Sequence, residues 1–279
     1  LPRNQATPSA TREILLKIDY SFDRRIARQY EQQRAHPPEV AAAVGQALLQ
    51  AVGPTGHLLE MGIGTGRIAR PAAAAGCRVT GFDLSWEMLQ EIAQPTDAPD
   101  PHVLTLCQAD MHHLPFADNS FDAVVTVHVL HLARDIHQVL REATRVLKPG
   151  GVFIRGDDWL APDSVVNQFR NQLRGFVLRA RPDMKPPGAG ADLDALLGEL
   201  GGGPATTHTV AEWTTHAVPA EVLATIANRT HSESWVLPDE MLAPAVDEIS
   251  AWANATWPDL QAAQPVYHRF NIRTMVGEW

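Results

Sequence analysis

The segment from His57 to Asp83, HLLEMGIGTGRIARPAAAAGCRVTGFD, constrains the fold more than any other part of the chain. An apolar run, HLLEM, leads straight into three glycines at alternate positions, Gly62, Gly64 and Gly66. A small-residue, apolar stretch of helical character follows and is closed by Gly76, and CRVTGFD then reads as a second strand ending in Asp83. Two parallel strands need a crossover of a dozen or more residues, and that crossover is right-handed. The segment therefore predicts a βαβ unit with a glycine turn at its first corner. Pro71 falls inside the helical stretch and is expected to remove a hydrogen bond or force a kink.

The alternation continues downstream. LSWEMLQEIAQ reads as a helix with Ser85 as its cap. HVLTLCQAD is a third strand ending at Asp110, and FDAVVTVHV a fourth, almost continuously apolar as a strand buried on both faces should be. ARDIHQVLREATRVL is helical and GVFIRGDD is a fifth strand. Upstream, residues 18–35 read as an aromatic-rich helix, and HPPEV opens another from about 39 to 52, since proline is tolerated in a first turn. After Asp158 the pattern gives a helix at 163–180, a short helix in DLDALLGELG, an alternating strand at 205–218, two helices within 219–264 and an alternating strand at 266–276. Strands alternating with helices imply a doubly wound α/β sheet, mostly parallel and seven-stranded.

Bulk properties exclude several classes. The chain has 279 residues and a net charge of −9 with no basic run, which argues against a nucleic-acid surface. No apolar run reaches the ~18 residues of a membrane span. The opening residues lack the apolar core of a secretory signal, and Cys77 and Cys107 form no Cys-x-x-Cys pair. A cytoplasmic protein with two reduced core cysteines is expected. Of twelve histidines, His112–His113 and His128/His131 lie close in sequence, but no further ligand follows at zinc-like spacing, so no metal is expected.

The glycine turn carries the chemistry. A dinucleotide fingerprint, Gly-x-Gly-x-x-Gly, would need a third glycine where Arg67 stands. Glu60, two residues before Gly62, would repel a pyrophosphate but favours a ligand carrying an ammonium and a sulfonium. A nicotinamide-dependent oxidoreductase is disfavoured on both counts. Asp83, at a strand end after the turn, can accept hydrogen bonds from ribose hydroxyls. Asp110 can accept from an adenine amino group while Met111 packs on the ring.

These pieces, LLEMGIGTGRIA, VTGFDLSWEML, QADMHHLPFADNSFDAVVTVHVLHL and REATRVLKPGGVFI, resemble the class I S-adenosylmethionine-dependent methyltransferases. The resemblance covers roughly residues 57–156 and is nearest the type 11 branch similar to ubiquinone- and menaquinone-biosynthesis methyltransferases. It implies that Glu60, Gly62, Gly64 and Gly66 hold the methionine portion, that Asp83 takes the ribose, and that Leu84 and Met88 flank the adenosine. Asp110 and Met111 match the adenine contacts, and His128 the position near the sulfonium. Tyr20, Tyr30 and Arg34 are lid candidates, with surface packing as the alternative. The implied layout is one domain: a helical cap over 1–52, a cofactor-binding core over 53–160, and an acceptor-side half over 161–279 with a helical insertion at about 219–264.

The implied function is methyl transfer to a small-molecule acceptor by in-line displacement, with S-adenosylhomocysteine as product. A protein that binds the cofactor without catalysis, or uses it for other chemistry, is the alternative. His128 and His131 lie where parallel-sheet ligands bind and are base candidates, as are Asp158 and its neighbour Asp157. Enzymes of this fold that methylate base amines carry an Asn/Asp-Pro-Pro-aromatic motif after the fourth strand; here that position reads VHVLHL, against a nucleic-acid substrate. Arg229, His231, Trp235 and Tyr267, with Trp252 and Trp257, are the expected acceptor side, with packing of the insertion onto the core as the alternative for each tryptophan. The sequence does not specify the acceptor or the oligomeric state.

Overall fold

The apolar run that opens the glycine segment becomes β1 (His57–Met61), with four of its five residues buried. In the computed structural model, which describes residues 35–92, 103–182, 192–229, 234 and 237–279, β1 is flanked by two parallel strands. On one side lie β2 (Arg78–Asp83) and then β3 (Leu104–Gln108); on the other lie β4 (Phe121–Val127) and then β5 (Leu147–Leu160). β7 (Gln264–Val276) runs antiparallel to β5, and β6 (Thr206–Ala217) antiparallel to β7. The sheet order is β3-β2-β1-β4-β5-β7-β6. The strand order reverses between the parallel strands β1 and β4, and such a switch point leaves an open crevice at the carboxyl ends of the strands.

Period-2 alternation distributes the strand side chains between two cores. Leu58, Val79, Val125, Ile154 and Phe270 pack under α1 (Pro38–Val52), α2 (Ala69–Ala74) and α3 (Trp86–Ile92). Leu59, Met61, Val124, Phe153 and Met275 pack on the other face under α4 (Ile136–Val146) and α6 (Leu193–Glu199). A third cluster joins α5 (Val165–Ala180), α7 (Pro219–Ala227) and α8 (Asp239–Thr256) to Leu160 and Val266 at the far end of the sheet. No helix among the described residues is long and apolar enough to cross a membrane.

Three sequence expectations need correction. α2 does not begin right after the turn but at Ala69, so Pro71 sits in its first turn, where its missing N–H would have had no helical partner. β3 ends at Gln108, and Asp110 lies beyond it in an isolated bridge with His113. The insertion is helical, as α7 and α8, but Trp252 and Trp257 are structural: Trp257 stacks on Phe169 at 5.3 Å and 2°, and Trp252 meets both rings edge-on. Trp235 and the helix expected at 18–35 lie outside the described residues.

One glycine has no explanation in the sequence alone. Gly45 lies in the middle of α1, where alanine would add about 1 kcal/mol by helix propensity. In the structure, however, a Cβ at Gly45 would meet the backbone carbonyl of Pro71, because α1 and α2 touch there without an intervening side chain. Gly45→Ala is expected to destabilise the protein by about 1–3 kcal/mol despite its better propensity, through overpacking against backbone. Urea unfolding checks this; a stabilised variant would contradict the close approach of α1 and α2.

Candidate functional site

The glycine turn is shaped by left-handed backbone. Gly62, Gly64 and Gly66 have φ of 70°, 55° and 86°. At Gly62 a Cβ would also strike the Val129 side chain, whereas at Gly64 it would meet nothing within 4 Å, so the turn is open on that side. Asp83 locks the turn: its Oδ2 accepts from the Gly64 N–H at 2.9 Å and its Oδ1 from the Ser85 N–H at 2.9 Å. Burial pushes the Asp83 carboxyl up, against the opposing effect of those N–H groups. Beneath the turn Glu60 is 2 % exposed. One oxygen takes the Ala69 N–H, but Oε2 has no hydrogen-bond partner. Burial raises the Glu60 pKa to about 8, with the Arg67 charge opposing. An orphaned buried carboxylate oxygen beside an open glycine turn fits a ligand that brings its own cation.

The neighbouring positions vary in exposure. Leu84 stands 66 % exposed at the end of β2, Met88 is buried in α3, and Met111 packs half-buried against the second core. Asp110 is held by His112, whose backbone N–H (2.9 Å) and Nδ1 (2.7 Å) both reach Oδ1. His112 Nε2 in turn accepts from the Asp135 N–H, which fixes its proton on Nδ1. Burial would raise the Asp110 pKa, but the His112 bonds and Arg134 bring it down. This orienting role of His112 has no signal in the sequence, because it depends on Asp135 from a later segment. Tyr20, Tyr30 and Arg34 lie outside the described residues.

A second cluster forms beside Glu60, around Asp158. Its carboxylate receives Arg67 Nη1 at 2.8 Å, His128 Nε2 at 3.0 Å and His36 Nε2 at 2.7 Å. Arg67 Nη1 also lies 2.6 Å from His36 Nε2. A guanidinium only donates, so that nitrogen either accepts from Arg67 or donates to Asp158, according to its tautomer. Burial alone would raise the Asp158 pKa; the histidine bonds and the Arg67 charge overcome it and hold the group well below the usual carboxylate range. Asp158 was a base candidate from sequence. A carboxylate so firmly ionised is a weak proton acceptor, and its position suits it to orient His128 instead. His128 itself has φ 52°, an uncommon conformation for a non-glycine residue, and its Nδ1 makes no hydrogen bond among the described residues.

His128 also lines a cleft of about 440 Å³ on the α4/α6 side of the sheet, within the usual range of small-molecule sites. His131 and Asp157 line it too. The residues expected to form the acceptor side do not converge there. Arg229 ties down its own turn through the carbonyls of Ser234 and Leu237 and the Asp239 carboxylate. Tyr267 stands 58 % exposed on β7. His231 and Trp235 lie outside the described residues. Thr126 and Arg155, which the sequence did not single out, form part of the cleft instead. Among the described residues no three ligating side chains gather as a metal site.

Comparison with known proteins agrees with this geometry. Residues 59–155 match the family described as a methyltransferase domain. A demethylmenaquinone methyltransferase of Tropheryma whipplei is 40% identical over 95 residues, 34% of this chain and 38% of that one. An uncharacterized protein of Mycobacterium tuberculosis is 36% identical over 115 residues, covering 40% and 42%. The chain thus spans less than half the length of these curated relatives. Among solved structures, the YcgJ protein of Bacillus subtilis superposes with a TM-score of 0.54 at 18% identity, covering 85% of this chain and 98% of that one. At that identity the likeness concerns the fold.

Removing the Asp158 carboxylate should strand Arg67, whose side chain is 9% exposed. Asp158→Ala is expected to lower unfolding stability by about 3 kcal/mol, the scale for breaking one side of a buried pair. Because the Asp158 pKa is depressed in the fold, its stabilisation is present above the unfolded value of 3.8 and is lost only as pH falls below it. Wild type and variant should therefore converge in stability only in strong acid. Urea titrations across pH check this, and a constant gap down to pH 2 would contradict it.

Proposed function

We propose that this chain, whose residues 59–155 match a methyltransferase-domain family, is a class I S-adenosylmethionine-dependent enzyme that methylates a small molecule held over β4 and β5. The observation that carries the reading is Glu60: a buried carboxylate with an unpartnered oxygen under an open glycine turn. In this reading Glu60 faces the cationic methionine portion, and Gly62, Gly64 and Gly66 let backbone approach it without a Cβ between. Asp83 accepts from the ribose hydroxyls with the lone pairs not used on Gly64 and Ser85. Leu84 and Met88 flank the adenosine, while Asp110 and Met111 meet the adenine.

When bound, S-adenosylmethionine would supply a methyl group already activated on a sulfonium, open to in-line attack by the acceptor with S-adenosylhomocysteine as the leaving group. The protein's remaining task is to position the acceptor, exclude water and take a proton where the acceptor carries one. His128 suits the last role. In the tautomer that carries its proton on Nε2, toward the Asp158 carboxylate, the Nδ1 lone pair is left to accept from an acceptor hydroxyl or amine. Asp158 is then a positioning residue that also stabilises the imidazolium as it forms. His131, lining the same cleft, is the alternative base.

Two measurements test the reading. Labelled methyl transfer to a panel of small metabolites should detect product, and S-adenosylhomocysteine should bind where NADH does not. Asp83→Ala should weaken S-adenosylhomocysteine by about ten- to hundred-fold, the ~1.5–3 kcal/mol of a charge-assisted hydrogen bond. Binding of NADH in its place, or unchanged affinity in Asp83→Ala, would contradict the assignment.

A further inference from the structure

The floor of the cleft is built from a row of polar side chains that cross-strand register places side by side. Thr126 on β4 pairs with Arg155 on β5, Arg155 with Arg273 on β7, and Arg273 with Thr207 on β6. All four line the cleft. The same face of the sheet, two residues earlier along β4 and β5, carries Val124 and Phe153, which are fully buried core. The face therefore switches from apolar to polar where the cleft begins.

Two features of that row have no internal explanation. Arg155 and Arg273 are like charges directly opposite on adjacent strands, an arrangement that is unfavourable by itself. A single carboxylate, Asp194, serves both, and unequally. It takes Arg273 through Nε and Nη2, while Thr207 takes Nη1, so each nitrogen of the Arg273 guanidinium has a partner. Arg155 reaches Asp194 only at 3.9 Å and makes no hydrogen bond among the described residues. Beside it, Thr126 is 1 % exposed and its Oγ1 is buried without a partner. Asp157, on the same face two residues along β5, also lines the cleft and is exposed to solvent, which screens its charge. A guanidinium with unused donors next to an orphaned hydroxyl donor is complementary to an oxyanion.

We infer that the methyl acceptor carries an acidic group, a carboxylate or phosphate, which Arg155 and Thr126 bind on the cleft floor. This deepens the methyltransferase reading, on which the word acceptor rests, by naming the acceptor's chemical class. The acid anchors one end of the molecule, and the group to be methylated lies toward His128, which lines the same cleft. His131, beside it, adds positive charge when protonated.

The test uses direct binding, so it does not depend on methyl transfer. Benzoate, inorganic phosphate and the uncharged benzamide are titrated by NMR into the full chain, with and without saturating S-adenosylhomocysteine. Benzoate or phosphate should bind and benzamide should not; which of the two binds identifies the acid. Arg155→Gln should weaken that binding at least about ten-fold while leaving S-adenosylhomocysteine affinity unchanged. Arg155→Lys, which keeps the charge, should retain more of it and covers the case in which the glutamine variant does not fold. Thr126→Val should weaken anion binding yet raise Tm, because it replaces a buried unpaired hydroxyl by a methyl. Equal binding of benzoate and benzamide, or anion binding that survives Arg155→Gln, would overturn the inference. Failure of S-adenosylhomocysteine to bind would instead refute the cofactor reading, leaving the anion titrations of the ligand-free protein to stand on their own.

Discussion

A carboxylate buried at the end of β1 with one oxygen unpaired is the constraint around which the site is arranged. Glu60 is shielded from bulk solvent where it lies, and Arg67, the cation that acts on it, is held in the Asp158 cluster. The free protein meets this by favouring the neutral acid, which is why its pKa stands near 8. Every neighbouring feature then has a consistent sense. The turn of Gly62, Gly64 and Gly66 keeps side chains out of the space above, and Asp83 holds that turn from below through Gly64.

Two chemically different regions meet at His128. On one side of the sheet, Asp158, Arg67, His36 and His128 form a dense, mutually bonded set beside Glu60 and the glycine turn. On the other, the cleft over Thr126 and Arg155 is open and under-paired. His128 bonds to the first and lines the second, at the carboxyl end of β4 where the strand order reverses. Its left-handed backbone places the ring between the two, a strain consistent with a functional position rather than a packing one.

Much of this was legible in the residues. β1, β2 and β4 carry their own signatures in apolar runs bounded by Gly62, Asp83 and His128, and the terminal alternation of VYHRFNIRTMV announced β7. Short-range spacing conveys local structure, so the glycine turn and the acid at Asp83 could be read directly. What failed depends on contacts between distant segments. Arg67 was visible only as a break in a glycine pattern, because its partner Asp158 lies on another strand and His36 before α1. The row Thr126–Arg155–Arg273–Thr207 exists only through a register joining four strands, one of them from the end of the chain. Trp252 and Trp257 stay ambiguous in sequence for the converse reason: aromatic composition marks a pocket and a packed helix pair equally well, and only the stacking on Phe169 tells them apart.

The central claim, that Glu60 awaits a cationic ligand, is tested most directly by calorimetry of S-adenosylhomocysteine binding near pH 7 in two buffers of different ionisation enthalpy. A carboxyl raised to about 8 is mostly protonated in the free protein at that pH, and pairing with the ligand's ammonium favours its ionised form. The account predicts release of about one proton per ligand bound, diminishing as pH rises past 8 and absent in Glu60→Gln. Binding without proton release in the wild type, or the same release in Glu60→Gln, would contradict it.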